Sequence, residues 1–275
     1  MPKVQVNGIQ IYYELHGPAD AEVLVLSNGV LMNTASWAMQ TPVLSRHLRL
    51  LLYDCRGMWQ SDHPPGPYTM AGHADDLAGL LDALGIPRAH IGGISYGGEI
   101  SMHFALRYPE RTQSLIVASA VSQLDPQLRG WTENWIAAAR SGDPERLFQV
   151  TYPLNFSEAW ISANSALLAT ARERYRQIDM AAMLELLLCF SRLDITAELP
   201  RIATPTLVIV GEDDLLKPRK YAELIAWQIP GAELAVVPHA GHAVCWEQPG
   251  LFNTLVLGFV TKHRSRAPSP QKGGE

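Results

Sequence analysis

The stretch His90-Ile91-Gly92-Gly93-Ile94-Ser95-Tyr96-Gly97-Gly98-Glu99 decides the fold. Its first half is a short apolar run of the kind buried on both faces of a parallel sheet. Residues Glu99 to Arg107, just beyond it, read as a helix. Between them lies the pattern Gly-x-Ser-x-Gly, from Gly93 to Gly97. A serine on so tight a strand-to-helix turn has a strained backbone, and bulky neighbours would collide there. Glycine at 93 and 97 removes those collisions. The helix that follows aims its N–H groups, and the positive end of its dipole, at the site. In this context Ser95 is expected to be an exposed nucleophile. A glycine-rich turn with an ordinary serine would be spelled the same way, so the weight rests on partners elsewhere in the chain.

Outward from this turn the chain alternates strands and helices. Val4 to Leu15 reads as a β-hairpin, because Asn7-Gly8 is a strong two-residue turn signal. Val23 to Leu26, Leu50 to Tyr53 and Leu115 to Val117 are further short apolar runs, and Ala74 to Leu84 is a helix closed by Gly85. From Ser122 to Leu199 the pattern becomes helical, with Trp131, Trp135, Trp160, Met180 and Met183 in it. Alternation resumes with a strand at Thr206 to Val210, a helix at Tyr221 to Gln228, a strand at Leu234 to Val237 and a last helix ending near Lys262. Such alternation predicts an α/β fold, a mostly parallel sheet flanked by helices. Residues 1–121 and 200–263 would form the core, and 122–199 a helical cap inserted after the sixth strand. Residues 264–275, rich in Arg, Ser, Pro, Lys and Gly, are expected to be disordered.

A serine hydroxyl needs a base to take its proton, and histidine suits the task because it titrates near neutrality. The base is expected late in the chain, with an acid before it. Two histidines lie there, His239 and His242. His242, in Ala240-Gly241-His242 after the last strand, is favoured, with Gly241 letting its loop approach the serine. His239 is read as shaping the loop. His16, His47, His63, His73, His90, His103 and His263 are read as surface or hydrogen-bonded residues. The acid should follow the strand Thr206 to Val210, in Gly211-Glu212-Asp213-Asp214. A buried carboxylate there would fix the imidazole tautomer. Position favours Asp214; Asp213 is the alternative and Asp125 a remoter one.

A tetrahedral intermediate also needs donors waiting for its oxyanion. One is expected to be the Tyr96 N–H. The other should come from the loop Ser27-Asn28-Gly29-Val30, with the Val30 N–H the best candidate. Trp59, Trp131, Trp135, Trp160, Met180 and Met183 are candidates for an apolar substrate pocket, although such residues more often serve as cap core. Trp246 could pack behind the His242 loop, and Arg56 should make a structural salt bridge.

Composition narrows the function classes. The chain has 275 residues, 47% of them hydrophobic, enough for one sizeable core. Its formal net charge of −5 gives no electrostatic reason to expect nucleic acid or an anionic membrane as partner. The N-terminus lacks the apolar run of a signal peptide, and no stretch has the ~18 apolar residues of a membrane span. Cys55, Cys189 and Cys245 read as free thiols in a reducing compartment, so the cytoplasm is the default. There is no metal-ligand spacing and no phosphate-cradling loop, so no metal and no cofactor is expected. The expected partner is a small-molecule substrate.

These features resemble the α/β-hydrolase superfamily across nearly the whole chain, and within it the 3-oxoadipate enol-lactonases and related esterases. The residues that carry the closer resemblance are Leu26-Ser27-Asn28 with Trp37, Tyr53-Asp54-Cys55-Arg56-Gly57 with Ser61, Pro64 to Thr69, and Leu80 to Ile86. The resemblance implies an α/β-hydrolase fold and a catalytic triad of Ser95, Asp214 and His242. It implies a serine hydrolase acting on a small carboxylic ester or lactone. Carbon–carbon hydrolysis, thioester hydrolysis and cofactor-free oxygen chemistry are alternatives on the same scaffold, and a ligand-binding receptor is the non-enzymatic one. Two departures bear on the substrate. Gly57-Met58-Trp59-Gln60 stands where a Gly-His-Gly-like run is usual, and Tyr96 where Leu or Met is common.

Overall fold

The structure, a computed structural model, describes residues 2–264. The chain opens with the hairpin β1 (Lys3–Val6) and β2 (Ile9–His16), paired antiparallel. Asn7 and Gly8 between them have φ of 46° and 82°, the doubly left-handed turn that the sequence pair favours. Then follow β3 (Val23–Ser27), the short α1 (Thr41–Leu44), β4 (Arg49–Tyr53), α2 (Met70–Ala83), β5 (Ala89–Ile94), α3 (Tyr96–Arg107) and β6 (Thr112–Ala118). Five helices come next: α4 (Pro126–Arg140), α5 (Pro144–Asn155), α6 (Glu158–Ala163), α7 (Ser165–Tyr175) and α8 (Met180–Phe190). The fold closes with β7 (Thr206–Gly211), α9 (Arg219–Gln228), β8 (Glu233–Val237), α10 (Val244–Glu247) and α11 (Pro249–Lys262).

The sheet has eight strands in the order β1-β2-β4-β3-β5-β6-β7-β8. The β1–β2 and β2–β4 pairs are antiparallel and all the others parallel. This is the α/β-hydrolase architecture expected from the sequence, with helices α4 to α8 inserted after the sixth strand. The parallel strands other than the edge strand β8 are buried on both sides. In β6, Leu115 and Val117 face one apolar cluster with Leu77 and Ile100, while Ile116 and Ala118 face another with Trp37 and Phe252. Period-2 alternation between two cores leaves no polar face, which is why these strands read as continuous apolar runs.

Among the boundaries that differ from the sequence reading are two helix starts. Helix α2 begins at Met70 rather than Ala74, because the Thr69 side chain accepts the Gly72 N–H and caps it. Helix α3 begins at Tyr96, directly after the serine, so the turn is tighter than a helix from Glu99 would require. Residues 265–275, most of the predicted tail, lie outside the described residues. Among the described residues no helix is long and apolar enough to cross a membrane.

Three histidines withdrawn from water, His73 and His90 buried and His103 half-buried, make stability depend on pH. Burial pushes His73 down to about 3, and His90 and His103 each down to about 4. In the folded protein these imidazoles stay neutral where the unfolded chain takes up protons, below about pH 6.5. Their contribution is complete above pH 6.5 and is lost as pH falls toward 4. Asp54, which burial raises to about 6, acts in the opposite sense over part of that range and reduces the net loss. Unfolding free energy is expected to drop by a few kcal/mol, on the order of one per displaced pH unit per group, between pH 7 and pH 5. Urea melts at the two pH values check this; an equal or higher midpoint at pH 5 would contradict it.

Candidate active site

Ser95 sits between β5 and α3 with φ 55° and ψ −122°, a conformation that non-glycine residues rarely adopt. The glycines on either side are there for close approach. A Cβ at 97 would strike the carbonyl oxygen of Ser27, and one at 93 the carbonyl oxygen of Gly97. The strain points the serine side chain away from the sheet into a cavity that it lines together with His242.

His242 lies beyond β8, nearly buried, and its Nδ1 is 2.9 Å from Asp214 Oδ2. Asp214 follows β7, and its other oxygen accepts the Lys217 N–H at 2.7 Å. Both carboxylate oxygens are thus engaged, and the imidazole is held by its Nδ1 edge. Asp213, the alternative acid, is exposed, and its N–H donates to the Ala240 carbonyl. Asp125 instead caps α4 through the Leu128 N–H and pairs with Lys220. His239 is exposed with φ 55° and turns the loop ahead of His242. Gly241 is required for a reason other than the one read from the sequence. A Cβ there would meet the Ser157 nitrogen at 2.5 Å and Glu247 Oε1 at 2.8 Å. The close approach is to the start of α6 rather than to Ser95.

Val30 lines the cavity next to Ser95, and Tyr96 is the first residue of α3, where backbone N–H groups have no partner within the helix. The loop carrying Val30 is fixed from behind. Asn28 donates to the Tyr53 carbonyl and Asp54 Oδ1, and it accepts the Trp37 indole N–H at 2.8 Å. Asp54 also accepts the N–H groups of Thr34 and Gln60. Two of the segments that resemble the enol-lactonases, Leu26-Ser27-Asn28 with Trp37 and the Tyr53-Asp54 pair, are therefore a buried scaffold under this loop. Arg56 likewise forms a two-pronged bond with Asp76, at 2.7 and 2.8 Å. Tyr96 Oη and His73 Nε2 share a hydrogen bond of 2.9 Å, which ties the tyrosine ring to α2.

The cavity has an empty volume of about 870 Å³, part of it open to solvent. Of the pocket candidates named from sequence, Trp59 and Trp135 line it. Met183 lies with Trp59 at a smaller hollow. Trp131 and Met180 are half-buried and pack on the core, and Trp160 stacks behind the cavity-lining Phe156 with ring centroids 4.2 Å apart. These three do not line the cavity. Trp246, expected behind the loop, lines the cavity instead, its indole N–H bonded to the Ser36 carbonyl. The rest of the lining was not singled out in the sequence: Phe148, Tyr152, Tyr175 and Ile178 from the cap, and Met32 below. Arg174 also lines it, its guanidinium 5.2 Å from the Trp59 ring centroid. Cys245 reaches the cavity too, but burial pushes its thiol far above the usual range, so it does not rival Ser95 as a nucleophile.

The sequence reading also missed Lys217 and Glu99. Lys217 Nζ is 3.2 Å from Ser95 Oγ and 2.7 Å from Glu99 Oε1. Burial pushes the Glu99 carboxyl up, and the Lys217 ammonium and the Val121 N–H oppose that shift. The available signal was local: Glu99 is the one charge among the small and apolar residues Gly97 to Met102 at the start of α3.

A model of the α/β hydrolase fold matches residues 22–249. The chain belongs to the α/β hydrolase family. It is a hydrolase. A protein of Stutzerimonas stutzeri, provisionally named carbamate hydrolase RutD, is 35% identical over 260 residues, covering 92% of this chain and 97% of its own. Among solved structures, the α/β hydrolase MGS-M2 from a Medee basin deep-sea metagenome library superposes with a TM-score of 0.90 at 30% identity, covering 98% of this chain and all of its own. The enol-lactonase of Burkholderia xenovorans LB400 does so with a TM-score of 0.89 at 29% identity, covering 94% of this chain and all of its own. The α/β hydrolase family thus reaches this chain from sequence and from structure, over nearly its full length.

Proposed function

We propose that the chain hydrolyses a small, mainly apolar carboxylic ester or lactone through an acyl-enzyme on Ser95. The observation that carries this reading is the convergence of a strained strand-to-helix serine and the His242–Asp214 pair on one apolar cavity. Ser95 Oγ attacks the carbonyl carbon and passes its proton to His242 Nε2. Asp214 holds Nδ1 protonated, which leaves Nε2 free to accept. The N–H groups of Val30 and Tyr96 receive the oxyanion. The bond from the acyl carbon to the leaving oxygen then breaks, and that oxygen takes the proton from His242. Water, deprotonated in turn by His242, attacks the acyl carbon and frees Ser95. The Ser95–His242 hydrogen bond is not among those formed in the structure; such bonds often tighten only around substrate. The apolar walls exclude water and strengthen these electrostatic contacts.

A second reading has one observation in its favour, the full-length likeness to the protein named for carbamate hydrolysis. A carbamate offers the same carbonyl geometry to the same serine. A panel of short acyl esters, lactones, thioesters and alkyl carbamates separates the two. The highest kcat/KM is expected for an ester or lactone, with Trp59→Ala changing the ranking through KM. A carbamate at the top would replace the leaving-group assignment, and binding without turnover across the panel would overturn the enzymatic reading of the site.

A further inference from the structure

Lys217 and Glu99 form an ion pair at 2.7 Å, with side chains 3% and 0% exposed. Taking two such charges out of water costs several kcal/mol per ion, and the pairing seldom repays it in stability. An apolar pair of the same size would pack here at lower cost, so the charges need another reason. Their surroundings supply one. The Lys217 ammonium touches the Ser95 hydroxyl oxygen at 3.2 Å and lies 4.6 Å from the centroid of the Phe190 ring. Glu99 is in the first turn of α3, its N–H donating to the Ser95 carbonyl, and its Oε1 also accepts the Val121 N–H at 2.9 Å. The backbone N–H of Lys217 is held by Asp214 Oδ1. One short segment therefore carries both the acid that orients His242 and the ammonium that meets Ser95.

We propose that Lys217 is a further catalytic residue: clamped by Glu99, its ammonium donates to Ser95 Oγ and stabilises the charge on that oxygen whenever its bond to the acyl carbon forms or breaks. This rests on the acyl-enzyme reading of Ser95. A hydroxyl that accepts from Lys217 keeps its own proton free to point elsewhere, toward His242. During acylation the Oγ proton goes to His242 Nε2 and then to the leaving oxygen, while Oγ bonds to the acyl carbon. During deacylation the water oxygen bonds to that carbon, the electron pair of the breaking C–Oγ bond returns to Oγ, and His242 gives Oγ its proton. Lys217 keeps its proton throughout, and Glu99 keeps its charge. The contribution is that of a fixed cationic donor in an apolar site, acting on Oγ where the oxyanion donors act on the carbonyl oxygen.

The test compares wild type with K217M and with E99Q/K217M. The single variant strands a buried carboxylate and is expected to lose stability; the double variant removes both charges and leaves an acceptor for the Val121 N–H. The readouts are the rate of fluorophosphonate attachment to Ser95, the single-turnover acylation rate with p-nitrophenyl acetate, and the melting temperature. E99Q/K217M is expected to fold with a melting temperature near that of wild type, yet to be labelled and acylated about 10²-fold more slowly, the size of effect seen when one fixed donor is lost. A folded double variant that labels Ser95 within threefold of the wild-type rate would make the pair purely structural and overturn the proposal. Failure of the wild-type protein to be labelled would instead overturn the acyl-enzyme reading beneath it.

Discussion

Ser95→Ala is expected to lower kcat for the best substrate of the panel on the order of 10⁶-fold while the fold persists. The substitution removes Oγ and keeps the Cβ, so the cavity and the φ of 55° at this position are little disturbed. What remains are two N–H donors and a binding pocket, which can polarise a carbonyl but cannot form the covalent intermediate. His242→Ala should cost nearly as much, because the hydroxyl and the base act as one unit. The two losses should not add: a Ser95→Ala/His242→Ala double variant is expected to be no slower than either single one. Steady-state kinetics on the three variants checks this. A Ser95→Ala protein within tenfold of wild type would move the chemistry away from Ser95 and toward oxygenase-like or receptor readings.

Asp214→Asn is expected to lower kcat about 10⁴-fold with the backbone unchanged. Asparagine can still accept the Lys217 N–H through its one carbonyl oxygen. It then presents an NH₂ group to His242 Nδ1, where the carboxylate now sits at 2.9 Å. The imidazole must turn Nδ1 into an acceptor, which leaves its proton on Nε2 and facing the serine. The base is then in the wrong tautomer rather than missing. Asp213→Asn is the matched control, since Asp213 is exposed. Its kcat should stay within a factor of two or three. The reverse ranking would mean that the acid had been assigned to the wrong neighbour.

The order and type of the elements were legible because parallel strands buried on both sides announce themselves as apolar runs, and the Ser95 turn announces itself by glycines that steric contact requires. Ser95, Asp214 and His242 could be proposed from the sequence because each follows a readable strand, and the structure pairs the last two. The substrate-facing residues were less accessible. Trp131, Trp135 and Trp160 look alike in the sequence, and which of them reaches the cavity depends on how α4 and α6 rotate against their neighbours. Only Trp135 does. Gly241 was correctly singled out, but its close contact is a cap segment some 80 residues away in sequence, which no local pattern encodes. Lys217 and Glu99 were missed for a related reason. Their meaning is a contact between residues far apart in the chain, |i−j| of 118; Lys217 alone reads as an ordinary surface charge, and Glu99, although out of place in its helix turn, does not name its partner.

The most direct measurement of the central assignment is the mass of the protein, and then of its peptides, after treatment with a fluorophosphonate. The expected result is one phosphonyl group per chain, on Ser95, absent from Ser95→Ala and much slower to appear on His242→Ala. Well-folded wild-type protein that takes up no phosphonyl group, or takes it up on another residue, would contradict Ser95 as the nucleophile.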